Sequence, residues 1–400
     1  MKKAPVFALC ILCCAGLASC APDSGGSTET TTSAEITYTT EESSTTETSN
    51  ETTTETQVET QTETEEATTE GTTSTTISET TTSVSSEAQT PKPSAVNILT
   101  GLAAANPQSA TTRPVAVMVN NVTSSLPQYG TAAADIIFET LVEGGITRLM
   151  AVYPDYTAVP DVCSVRSCRY YFPKLAMGLD AVYVHWGSDQ TIALDTLNST
   201  GIDRLDGGSV GSSAFGRDSE RKATYALEHT GYLKGSALAS TIKSLGYRTK
   251  LSSEKTAPVF NFGSTAVTPS GGTATKIKLP YSGSYYSDFV FNNTTKTYAK
   301  SHNGNAHMDS KAGKQLTFTN VFVLKTNISS MGDGSPLMKV DLSGGSGYYI
   351  TGGRSEAIRW SKASDSSPIV FTRADGSSLT VSPGKSYIGI IGNDRNISIS

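Results

Sequence analysis

The sequence predicts an α+β protein, with a mixed α/β domain over residues 95–252 followed by a β-rich antiparallel domain over residues 257–400. Three observations carry this reading. The 400 residues are enough for two ordinary domains. From Pro114 to Leu245, short apolar runs alternate with segments whose apolar residues recur at helical spacing. Beyond Ala257, Val, Ile, Thr, Tyr and Phe alternate with polar residues in short runs broken by Gly, Asn, Asp and Ser, as antiparallel strands do.

The chain begins with an address. Lys2 and Lys3 precede an apolar run from Val6 to Leu17, and Leu17-Ala18-Ser19-Cys20 follows. A charged start, a short apolar core and small residues before the cut describe an export signal over residues 1–20 rather than a membrane span. The terminal cysteine resembles a lipobox, which implies cleavage before Cys20 and a diacylglyceryl group on its sulfur. The expected location is therefore the extracytoplasmic face of the cell membrane, lipid-anchored.

Residues 21–94 are dominated by Thr, Ser and Glu, with one Asp, fourteen Glu and no Lys or Arg before Lys92. Such a composition buries too little apolar surface to offset ordering entropy, so the segment reads as a disordered tether. Seventy flexible residues span about 45–50 Å r.m.s.. That suits a stalk reaching into a Gram-positive cell wall, and the Thr/Ser density also resembles glycosylated stalks. The tether conceals a charge asymmetry. From Pro91 onward 29 basic residues face 22 acidic ones, about +7, although the whole chain is −6. A basic body admits contact with wall phosphates or anionic lipids, or a plain solubility surplus. No nucleic-acid motif is present, and no nucleic-acid partner is expected.

In the first domain, Pro114–Val119 reads as a buried strand ending at Asn120-Asn121. Ala134–Val142 and Ile146–Tyr153 read as strands flanking a turn at Glu143-Gly144-Gly145. Strand parity puts Asp135, Glu139 and Glu143 on one face and Ile136, Phe138, Thr140 and Val142 on the other. Three carboxylates in line are expected to leave the core, with Arg148 able to pair with one across the hairpin. Ser167 is expected to cap a helix over Tyr170–Leu179. Arg166 and Arg169 beside that start would favour an anion. Ala181–His185 reads as a buried strand, placing His185 where strand becomes loop. Gln190–Leu197 reads as a short helix, Phe215–Lys222 as a charged loop containing Arg217 and Asp218, and Thr230 as the cap of a helix through Leu245.

Of six cysteines, Cys10, Cys13 and Cys14 leave with the signal and Cys20 carries lipid, so Cys163 and Cys168 remain. A disulfide between them requires a turn or loop, because residues five apart on one helix are too distant. Both the bridge and two free thiols stay open. In the second domain Asp375-Gly376 reads as a hairpin turn. His302, His307 and Asp309 form a constellation that reads as a self-satisfied histidine–carboxylate group rather than a metal site, and no cofactor is implied.

Several motifs together resemble the YerB-like family of bacterial lipoproteins, built from two domains of unknown function. They are Arg113–Met118, Ala134–Glu139, Glu143–Arg148, Val165-Arg166-Ser167, Asp180–His185 and Arg217-Asp218-Ser219. The resemblance runs from about Arg113 to the C-terminus and implies architecture and envelope location. It implies no reaction. Cys163, Ser164 and Cys168 depart from its usual residues, as does Tyr225–His229.

Two functions follow from the residues. One is a non-catalytic envelope lipoprotein that binds a wall polymer or another envelope protein through Asp135, Arg148, Arg166, Arg169, Arg217 and Asp218. No complete catalytic signature is present, which favours this reading. The other is a hydrolase or lyase acting on a wall polymer, with Glu139 or Glu143 as general acid/base and a pKa raised by an apolar wall. His185 with Ser188 or Asp189 forms a weaker nucleophilic candidate, since neighbours at a strand end rarely meet productively.

Overall fold

The computed structural model describes residues 95–400, which fall in one compact unit. The signal, Cys20 and the tether lie outside the described residues. Among the described residues, no helix is long and apolar enough to cross a membrane.

The first half supplies β1 (Val115–Asn120), β2 (Ile136–Leu141), β3 (Thr147–Tyr153), β4 (Val162–Cys163), β5 (Val182–His185), β6 (Arg204–Asp206), β7 (Phe215–Arg217) and β8 (Gly231–Leu233). Its helices are α1 (Tyr171–Gly178), α2 (Ile192–Thr200), α3 (Gly207–Val210) and α4 (Gly235–Ser244). From Lys276 onward every regular element among the described residues is a strand, so the α+β class stands. Every residue of β1, β2 and β3 is buried. Continuous burial, rather than alternation, means that both faces of this sheet are covered.

The two halves are joined by one ten-stranded sheet. Its order is Val370–Arg373, Arg354–Ser361, Gly344–Thr351, Asn320–Thr326, Ser386–Gly392, β2, β3, β1, β5 and β6. The strand Ser386–Gly392 runs parallel to both Asn320–Thr326 and β2, and so stitches the second half to the first. On one face lie α1 and α2, through Phe172, Leu175, Ala193 and Leu197, with Phe322 and Ile388 in the same apolar cluster. On the other lie α4 and a smaller antiparallel sheet built around Tyr286–Asn292, through Leu238, Ile242, Leu279 and Phe289.

The hairpin at Glu143-Gly144-Gly145 forms as expected, with Gly144 and Gly145 at φ 69° and 71°, a left-handed region that favours glycine. Two helix starts differ from expectation. Ser167 is not the cap of α1, which begins at Tyr171. Residues 165–168 instead stay extended between the ends of β1 and β5, where Arg166 donates its N–H to Met118 O and Trp186 donates to Arg166 O. Thr230 is likewise not the N-cap of α4; it closes the 3-10 turn Leu227–His229, its N–H donating to Leu227 O. The chain continues through β8, which pairs with β4 and β7, and α4 starts only at Gly235.

Candidate functional site

The parity of Asp135, Glu139 and Glu143 is as the sequence implies, but the three carboxylates do not share a site. Asp135 sits at the start of β2, where Asn97 Nδ2 donates to it at 2.7 Å. Burial raises its pKa, opposed by Asn97 and Lys385. Glu143 lies at the hairpin turn, near the opposite end of β2. Between them, Glu139 enters the core.

Glu139 is 1% exposed and fully engaged. One carboxylate oxygen accepts from Asn121 Nδ2 at 3.0 Å and Thr147 Oγ1 at 2.8 Å. The other accepts from Ser287 Oγ at 2.9 Å and Tyr387 Oη at 2.7 Å, with Lys300 Nζ at 3.3 Å. Lys300 also meets His307 Nδ1 at 3.0 Å, and His307 Nε2 meets Gln128 Oε1 at 2.7 Å. Burial alone would raise the Glu139 pKa, but Lys300, His302, Tyr387 and Thr147 outweigh it and hold the carboxyl below its ordinary value. This corrects two expectations: Glu139 is core, and its shift is opposite to the one a general acid needs. It is an internal brace between the halves. The partners missed in the sequence were legible in part, because Lys300 shares its strand parity with Tyr298 and His302, all inward.

The arginines do converge. Arg169 forks onto Glu143, with Nε at 2.8 Å from one oxygen and Nη2 on the other. Arg148 pairs across the turn with Glu143 at 3.8 Å and donates to Ser167 O at 2.8 Å. Burial would raise the Glu143 pKa, yet Arg169 and Arg148 bring it below the ordinary value. Burial, with the positive charge of Arg169, pushes Arg148 down to about 10. Arg166 stands within electrostatic reach of Arg148, Arg169 and Arg217. Its Nη1 donates to Glu228 O at 3.3 Å, but its buried Nε has no partner among the described residues. Arg217 stacks 4.4 Å over Trp186 and donates to Leu227 O at 2.6 Å. The extended segment 165–168 creates this cluster by placing Arg166 and Arg169 at the carboxyl ends of the parallel pair β1 and β5, the usual ligand edge of such strands.

Other candidates do not join it. Asp218 accepts from Tyr129 Oη at 2.8 Å and from the Arg221 N–H at 3.0 Å, fixing its own loop. His185 is buried and donates from Nδ1 to Gly187 O at 2.8 Å. Asp189 accepts from Thr191 and Ala193 at the start of α2, so the His185–Asp189 pair is not assembled. Cys163 and Cys168 are free, buried thiols, not a bridge. Cys163 lies in β4, paired to β8, whereas Cys168 lies against Ser188, in separate surroundings. His302 and His307 stand edge to face, but Asp309 accepts from the Ala132 and Ala312 N–H groups rather than from either ring. The buried His302 Nδ1 has no partner among the described residues, so the expected histidine–carboxylate pairing does not form.

The model described as "Protein of unknown function (DUF3048) N-terminal domain" matches residues 99–248, and the one described as its C-terminal domain matches residues 277–388. The chain is also 29% identical over 293 residues to "Putative lipoprotein YerB" of Bacillus subtilis, covering 72% of this chain and 84% of that protein. The chain belongs to the YerB-like family. A crystal structure of the YerB protein from Bacillus subtilis superposes with a TM-score of 0.66 at 27% identity, covering 76% of this chain and 99% of that one. The first YerB-like match supplies β1–β8, the second begins in the smaller sheet, and the ten-stranded sheet draws on both.

Proposed function

We propose that this protein is a cell-envelope lipoprotein whose folded part is a non-catalytic binding module for an anionic group on a wall polymer or envelope protein. Its anchor is the lipid on Cys20, and residues 21–94 hold the folded part away from the membrane. The relative's name, a lipoprotein, and the signal-like N-terminus support the location. One observation carries the binding reading: Arg166 holds a buried, unpartnered Nε–H among the described residues, flanked by Arg148, Arg169 and Arg217. A guanidinium left with an unused donor in a cationic setting is suited to a carboxylate or phosphate oxygen. Glu143 occupies Arg148 and Arg169 and sets their orientation.

Sedimentation with purified cell walls tests this. Binding is expected to weaken steeply between low and high salt and to fall on the order of tenfold in Arg166→Gln, the equivalent of one lost charge-assisted hydrogen bond. Binding that ignores salt and the substitution would defeat the proposal.

A further inference from the structure

We infer that the ligand is a linear polyanion that runs from the arginine cluster past Tyr170 into a second, lysine-bearing cleft on the C-terminal half. The inference rests on the anion-binding reading above and extends it.

Tyr170 follows Arg169 directly, and its hydroxyl is locked to the second half. It donates to Val340 O at 3.1 Å and accepts from the Val340 N–H at 3.0 Å. Beside it opens a cleft of about 520 Å³ whose lining includes Lys174, Lys339 and Lys362. Lys362 directs its ammonium at three carbonyls, of Ser364, Asp365 and Ser367, at 2.8, 2.8 and 2.6 Å, and so braces the rim. Lys339 carries charge open to a ligand, and Lys174 shares its own with Asp365. Lys174 lies 5.5 Å from the Tyr170 ring centre and 3.1 Å from Asp365, and Lys339 is exposed.

Arg217 and Arg169 stand within electrostatic reach of Arg166, Tyr170 follows Arg169 in the chain, and Lys174 and Lys339 line the cleft that Tyr170 also lines. The carboxylates near these residues are Glu228, Glu143, Asp189, Asp341 and Asp365. Glu143 and Asp365 are already engaged by Arg169 and Lys174, and Asp189 by the start of α2. A small anion occupies one end of the proposed run. A chain with recurring anionic groups engages both ends, and the second contact then forms at high effective concentration. The folded part's surplus of basic residues is consistent with such a partner.

Calorimetric titration of the mature protein with inorganic phosphate and with linear polyphosphates of increasing length tests this. Poly-glutamate of matched length serves as the carboxylate counterpart. Affinity per chain is expected to rise on the order of a hundredfold once the chain spans both sites. Lys174→Ala/Lys339→Ala should abolish that gain while leaving phosphate binding unchanged. A gain with either polymer supports the inference, and the one that shows it names the repeating anion. Phosphate binding without any gain from length, or a gain that survives the double substitution, overturns the polymer inference but spares the arginine site. No binding of any anion overturns both.

Discussion

The Lys300 ammonium lies 3.3 Å from the Glu139 carboxylate, and neither side chain reaches solvent. Glu139 comes from the first family segment and Lys300 from the second, so the pair braces the two across the core. Glu139→Gln leaves Lys300 buried without its counter-charge and is expected to cost about 3–5 kcal/mol in urea denaturation. Replacing both, Glu139→Gln/Lys300→Met, should recover much of that loss. A stable single variant would show that the pair does not brace the halves.

All four histidines are held below their ordinary pKa. Burial is the first cause at each, and for His302, lowered to about 4, Lys300 adds to it. The unfolded chain therefore binds more protons than the folded one below about pH 6.5, and stability falls as pH drops from there toward 4. The melting temperature should decline through that window, and His302→Gln should flatten part of the decline.

Glu143 both orients the arginines and competes with any incoming anion. Glu143→Gln should lower stability by about 1–3 kcal/mol, since Arg148 loses a charged partner while buried. The same substitution should tighten anion binding. Titration with inorganic phosphate at low salt reads the gain, and a weaker affinity would mean that Glu143 helps to hold the ligand.

Burial pushes the Cys163 and Cys168 thiols up to about 11 and about 12. Reactivity follows the thiolate, so neither should react with a thiol reagent at pH 8 in the native protein. Both should react in denaturant without prior reduction. Rapid native labelling would contradict their placement.

Cys20 lies outside the described residues, and its lipidation is open to direct assay. Cys20→Ser should abolish incorporation of labelled fatty acid and move the protein out of the membrane fraction. Retention at the membrane without label would remove the lipid anchor from the proposal.

Strands β1, β2 and β3 were legible because they are largely apolar, β-rich runs bounded by turn residues, whereas β7 and β8 fall in segments that read as a charged loop and a helix. That Arg148 could pair with one of the three carboxylates followed from hairpin geometry; that the partner is Glu143 came from the structure. What the sequence withheld was non-local. Glu139 looks like a surface carboxylate until Lys300, Ser287 and Tyr387 close over it, each more than 140 positions away. Ser167 and Thr230 have good capping chemistry, yet contacts with the ends of β1 and β5 hold the Ser167 segment extended, and pairing with β4 and β7 draws the chain after Thr230 into β8. Local propensity lost to sheet hydrogen bonds in both places.

The strand Ser386–Gly392, wedged between β2 and Asn320–Thr326, has a bearing on biosynthesis. Of the ten strands of the large sheet it is the last in the chain. Until it arrives, the large sheet has two open edges facing each other, and the fold cannot close. Closure of the large sheet thus waits for this strand, whatever the order in which the others form. A prematurely ended chain would present both edges bare and be marked for aggregation or degradation.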